Sequence, residues 1–170
     1  MPDGCEPGRQ AAHRTHAAPT PAFHGPSSTD LTEHDTMNAP AIKPASMFQQ
    51  IGGEEPLRRL VNAFYDIVET HPDGEPVHKL HLEGFGVAHL REAQFEFLCG
   101  FLGGPRYYAE RMGHSNLRQM HAHVAIGQAE VVSWLRCMVH AIEATGIPTD
   151  VGVRLMQHFT RAAEALKNRD

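Results

Sequence analysis

From Met47 onward, apolar residues recur at intervals of three and four, the spacing of one face of an α-helix. The stretch MFQQIGGEEPLRRL predicts a short helix broken at Gly52-Gly53. A fresh start follows with Pro56 in the first turn, where a missing N–H costs nothing. Leu57, Leu60, Val61, Phe64 and Val68 carry that helix to the breaker His71-Pro72-Asp73-Gly74. Leu90, Gln94, Phe97, Leu98 and Phe101 mark a second face, ended by Gly103-Gly104-Pro105. Val131, Trp134, Leu135, Met138 and Ile142 mark a third, stopped at Gly146 with Pro148 close behind. Val151, Leu155, Phe159, Ala162 and Leu166 mark a fourth. No stretch alternates with period two over a useful length, so the expected fold class is all-α.

Residues 1–46 interrupt this picture. They are Pro, Ala, His, Thr, Ser and Gly with few large apolar side chains, and they hold seven of the twelve prolines. Such a segment buries too little apolar surface to offset the entropy of ordering it, so it is read as a disordered extension, His13, His16, His24 and His34 included. Residues 47–170 are then the single folded domain. Net charge is −5 with no long Lys/Arg run, which argues against nucleic acid as a partner. No apolar window approaches the roughly 18–20 residues needed to span a bilayer, and MPDGCEPGRQ lacks the apolar core of a secretory signal. Cys5, Cys99 and Cys137 form no CxxC pair, which fits free thiols in a reducing, cytoplasmic compartment.

Ordinary core faces are aliphatic, yet three of these carry an apolar body with a hydrogen-bonding tip. Tyr65 lies on the face of Val61 and Val68, Gln94 on that of Leu90 and Phe97, and Trp134 on that of Val131 and Met138. A buried polar tip without a partner costs on the order of 1–3 kcal/mol. One such residue is ordinary core filling; three on three helices suggest an internal polar spot where something sits. In LRQMHAHVAIG, residues 117–127, His121 and His123 are two positions apart. On a helix they diverge by about 200°, so they cannot clamp one metal, and nothing nearby predicts the strand that would allow it. His121 shares a face with Leu117 and Val124 and is expected to point inward, while His123 falls at the break before Ile126-Gly127. One inward histidine facing Tyr, Gln and Trp tips fits the axial ligand of a haem.

With those residues in view, FYDIVE (Phe64 to Glu69) and FLCGFLGGPRYYAERMGHSNLRQMHAHVAIGQAEVVSWLRCM (Phe97 to Met138) resemble the truncated haemoglobins, group II in particular. The resemblance runs from about Phe48 to Leu166, and GGP followed by Tyr, GH-x-x-LR-x-x-H and WL-x-CM are its most specific parts. It implies a globin reduced to a two-over-two helical sandwich around haem b, with a long loop replacing most of the proximal helix. It also implies His121 as the proximal iron ligand, its other N–H on a backbone carbonyl, with Tyr65 and Trp134 as distal hydrogen-bonding residues. Leu90, Phe97, Leu117 and His81 join the cofactor-binding set, although LHLEGFGVAHLRE is one or two residues longer than usual and shifts the alignment of His81, His89 and Leu90. Gln94 stands where many relatives have an apolar residue and is expected to add a third distal group. Met120 stands where relatives often have arginine, so Tyr108 or Arg118 is expected to meet a haem propionate instead. His123-Val124-Ala125 replaces a Pro-containing stretch, and a more mobile chain is expected after the ligand.

The implied small ligands are O₂, NO, CO or peroxide, with a reductase as partner for the iron and a monomer or homodimer as the assembly. Preorganised donors in a dry pocket stabilise partial negative charge on O₂. Two such bonds at about 1–1.5 kcal/mol each slow release roughly tenfold to a hundredfold or more. That favours NO dioxygenase-like or peroxidase-like chemistry over simple oxygen transport. His81 or His89 is a candidate internal sixth ligand. The rivals are a haem-free helical sensor or interaction module, in which the three tips fill the core, and a non-haem histidine-rich bundle. The latter needs Glu-x-x-His pairs on facing helices, and none is evident.

Overall fold

The computed structural model describes residues 44–82 and 87–170. Most of the extension expected over 1–46 therefore lies outside the described residues, as do positions 83–86 of the lengthened stretch after His81. The elements in chain order are α1 (Met47–Gln50), α2 (Glu54–Thr70), a 3₁₀ turn (Pro72–Gly74), α3 (Glu75–Leu82) and α4 (Val87–Phe101). They continue with α5 (Tyr107–Met112), α6 (Leu117–Met120), α7 (Gln128–Ala144) and α8 (Thr149–Leu166). No strand occurs among the described residues, and none of the described helices is long and apolar enough to cross a membrane.

Local chemistry accounts for the boundaries. Ser46 opens α1 with a capping box, its hydroxyl accepting from the Gln49 backbone N–H while Gln49 Oε1 accepts from the Ser46 N–H. Gly52 and Gly53 both hold positive φ, a conformation open to glycine, and this separates α1 from α2. Glu54 and Glu55 then sit in the first turn of α2, where the helix dipole favours them. Neither α3 nor α5 was visible in the apolar periodicity, because eight and six residues are too few to display it.

Two long pairs, α2 with α4 and α7 with α8, pack through α2 against α7, giving the two-over-two sandwich. The core holds Leu57, Leu60, Val61, Phe64, Tyr65 and Val68 from α2. Cys137, Met138 and Ala141 of α7 meet them, with Leu155 and Phe159 of α8. The α4 face differs from expectation. Phe95, Leu98, Cys99 and Leu102 are the buried residues, whereas Gln94 and Phe97 are half-buried and Phe101 is 38% exposed. This helix thus has two apolar stripes, one in the core and one that, among the described residues, borders a cavity.

Candidate functional site

The cavity beside this second stripe of α4 has a volume of about 550 Å³, within the range of small-molecule and cofactor pockets. Its walls are mainly apolar, with Leu90, Phe97, Leu117, Val131 and Phe159 among them. Into the same space come Tyr65, His81, Gln94, His121 and Trp134. The fold thus gathers at one place the polar tips that the sequence distributes over five elements.

Tyr65 is 1% exposed and donates its hydroxyl to Gln94 Oε1 at 3.0 Å. Burial pushes the Tyr65 pKa far above its usual value, only partly opposed by Arg91, so the group keeps its proton. Arg91 lies over the Tyr65 ring and is fixed by Asp66, Glu69 and the Asn62 carbonyl. Trp134 is wedged between aromatic rings, 5.3 Å from Phe64 and edge-on to Phe159 at 5.5 Å. Two buried side-chain atoms among the described residues have no hydrogen-bond partner, Gln94 Nε2 and His81 Nδ1. Both belong to residues that line this cavity.

His121 is the residue that ends α6, and its Nδ1–H donates to the Leu117 carbonyl at 2.8 Å. Burial lowers its pKa, opposed by that backbone bond and aided by His123, so the ring is neutral. With the proton committed to Nδ1, the lone pair resides on Nε2. His81 faces similar desolvation, which together with His121 and His78 lowers its pKa to about 4.

Of the other expected residues, Leu90, Phe97, Leu117 and Tyr108 are on the walls, and Tyr108 packs edge-on to Phe97 at 6.0 Å. Arg118 is not on them. Its Nε donates to the Ala165 carbonyl at 3.0 Å, because α6 packs against α8 and turns this side chain away. Arg111, which the sequence reading missed, lies on the wall instead, its Nε 2.8 Å from Glu96. His89, His114 and His123 also border the space.

The stretch after His121, expected to be more mobile, is tied to the C-terminus. Asn168 Oδ1 accepts from the Ile126 N–H at 2.9 Å and Asn168 Nδ2 donates to the Val124 carbonyl at 2.9 Å. The backbone N–H groups of Asn168 and Arg169 both reach the Ile126 carbonyl. Glu130 receives the Gly127 N–H at 2.8 Å and pairs with Arg169. Lone polar residues beyond the last helix give no sequence signal for such a latch.

The geometry meets its counterpart in known proteins. The family model of the bacterial-like globins matches residues 46–168. The group 2 truncated hemoglobin YjbI of Bacillus subtilis (strain 168) is 32% identical over 116 residues, covering 68% of this chain and 84% of that protein. The chain belongs to the group II truncated haemoglobins. Among solved structures, the group II 2-on-2 hemoglobin from Agrobacterium tumefaciens superposes with a TM-score of 0.69 at 27% identity, over 76% of this chain and 99% of that one. The truncated oxygen-avid haemoglobin from Bacillus subtilis gives 0.64 at 30% identity, over 73% and 100%.

This truncated haemoglobin is accordingly a haem-binding globin. The residues present fit that cofactor. A neutral imidazole offers a lone pair at a mostly apolar cavity, and unspent polar atoms on the same walls await a partner.

Proposed function

We propose that the chain holds haem b in this cavity with His121 Nε2 as the iron ligand, and that Tyr65, Trp134 and Gln94 hold a small ligand there by hydrogen bonds. The observation that carries this reading is the unsatisfied Gln94 Nε2 beside the Tyr65 hydroxyl, two donors on one wall with a single bond between them. An unpaired buried amide costs about 1–3 kcal/mol, and a ligand with partial negative charge relieves that cost. When bound, haem supplies an iron that takes up O₂, NO, CO or peroxide and exchanges electrons.

Trp134, kept in place by Phe64 and Phe159, is preorganised to donate. Tyr65, kept protonated by burial, orients Gln94 through its own hydroxyl and donates to a ligand once the amide turns over. Leu90 and Phe97 keep that side of the cavity apolar, which strengthens each bond. Tyr108 and Arg111, rather than Arg118, are the side chains available to the cofactor's carboxylates. Firm retention of the ligand favours O₂, NO or peroxide chemistry over transport. The described thiols are poor electron sources, since burial pushes both Cys99 and Cys137 up to about 11 and keeps them protonated. Electrons then come from a separate reductase.

The test is the absorption spectrum of the ferric, ferrous and CO-bound protein alongside His121→Ala. An intense Soret band that is lost or displaced in the variant, and restored by added imidazole, is the expected result. A native-like spectrum in His121→Ala overturns the assignment of the iron ligand.

A further inference from the structure

Away from the haem cavity, His71, Asp73 and His140 converge where the 3₁₀ turn meets α7. None of the three lines the cavity. One ligating atom from each lies within 4.8 Å of the other two. His140 Nε2 is 3.2 Å from Asp73 Oδ2, and His71 Nδ1 is 3.7 Å from the same oxygen. A tetrahedral ion with bonds of about 2.0–2.1 Å separates its ligand atoms by roughly 3.3 Å, so both spacings are close to those a metal imposes. The two imidazole rings stand 4.7 Å apart.

The cluster rests on a fixed base. Ser133, Arg136 and His140 follow one another at i, i+3 and i+7 along α7 and so share one face. All three engage Asp73: Ser133 Oγ donates to its carbonyl, Arg136 approaches Oδ1 at 3.4 Å, and His140 meets Oδ2. The two carboxylate oxygens thus have separate tasks, with Oδ1 oriented by Arg136 and Oδ2 left to the imidazoles. Gly74 lets the turn approach α2, since a Cβ there would lie 2.4 Å from the Val68 carbonyl oxygen.

We propose that His71, Asp73 and His140 form a surface site for a divalent transition-metal ion of borderline softness, Zn²⁺. Two imidazoles and one carboxylate are the donor set such ions prefer, and three protein ligands leave the remaining position to water. On binding, the ion takes the lone pair of His71 Nδ1 that now accepts from the Asp73 backbone N–H at 3.1 Å, and that N–H turns to solvent. At His140 the ring proton moves from Nε2 to Nδ1 through solvent, and the ion replaces the hydrogen bond between Nε2 and Asp73 Oδ2.

The test is calorimetric titration of Zn²⁺ into the full-length, haem-loaded chain, so that the N-terminal histidines contribute equally to every variant. One equivalent of Zn²⁺ is expected to bind at least tenfold more weakly in His140→Ala and in Asp73→Asn, with the Soret band unchanged. His71→Ala is the independent third variant, and crystals soaked in Zn²⁺ should give an anomalous peak between the three side chains. Native affinity in both His140→Ala and Asp73→Asn, or anomalous density confined to other histidines, overturns the proposal.

Discussion

The Tyr65 hydroxyl donates to Gln94 Oε1 across 3.0 Å, joining α2 to α4 at the cavity wall and leaving Gln94 Nε2 unpaired. Exchanging the amide's two ends would leave the Tyr65 O–H unspent instead, so in either orientation the pair retains hydrogens to give. Tyr65→Phe keeps the buried ring and removes one donor. At about 1–1.5 kcal/mol per bond, it should speed O₂ dissociation roughly 5- to 15-fold in stopped-flow measurements. Gln94→Leu should also speed release, and the double variant should fall short of the product of the two effects because the residues share a bond. Unchanged rates in both single variants would remove the distal-donor reading.

Trp134 gives a separate test, because its indole is set by Phe64 and Phe159 rather than by Tyr65 or Gln94. Trp134→Leu should therefore speed O₂ release by a factor that multiplies with that of Gln94→Leu. Strong non-additivity between these two would mean that the indole acts through the amide and not on the ligand.

How much of this was legible in the sequence depended on what covers each face. The stripes of α2, α7 and α8 were readable because their spacing is regular, although Val131, Trp134, Phe159, Ala162 and Leu166 within them border the cavity. On α4 the periodicity followed Leu90, Gln94, Phe97, Leu98 and Phe101, which mixes the stripe on the cavity with Leu98 of the core, and passed over Phe95, Cys99 and Leu102 in the core. An apolar stripe is the same signal whether a helix or a ligand is to cover it. Arg118 and Arg111 carry the same charge, and only the packing of α6 on α8 decides which one reaches the cavity. The latch by Asn168 spans more than forty residues and leaves no local pattern.

That latch makes a prediction of its own. Asn168→Ala removes the partners of the Ile126 N–H and the Val124 carbonyl, five and three residues after His121. Each side-chain bond contributes about 0.5–1.5 kcal/mol, so the fold should lose about 1–3 kcal/mol. Loosening the chain beyond the iron ligand should also raise the rate of haem transfer to an acceptor apoglobin several-fold. Equal transfer rates would show that His121 is held by Leu117 and α6 alone.

Gly74 tests the fit of the turn against α2. A methyl group there meets Val68 backbone atoms at 2.4, 2.6 and 2.8 Å, and backbone cannot swing aside as a side chain can. Gly74→Ala should cost about 1–3 kcal/mol, seen as a lower melting temperature. A neutral effect would mean that the turn can lift away from α2 without loss.

The depressed histidines make stability depend on pH in a definite direction. Burial, then the charges of His121 and His78, lower His81 from 6.5 to about 4, and burial lowers His121 as well. In the haem-free protein the His81 ring stays neutral in the fold down to about pH 4 while the unfolded chain protonates it. Between about pH 6.5 and 4 the unfolded state therefore binds more protons, and stability rises with pH. The contribution is fully present above the unfolded value and is lost as pH falls through the folded one. For His81 the shift corresponds to about 3 kcal/mol. His81→Phe keeps an aromatic ring beside Tyr65, which the native ring meets at 5.5 Å, and removes the titrating group. Urea melts at pH 7 and pH 4.5 should show the native haem-free protein losing about 2–3 kcal/mol more than the variant over that interval. The carboxyls of Asp73, Glu92 and Glu130, also lowered in the fold, titrate in both proteins and cancel in the comparison. Parallel losses in the two proteins would place His81 in contact with water, and its unpaired Nδ1 would then need no ligand in the cavity to explain it.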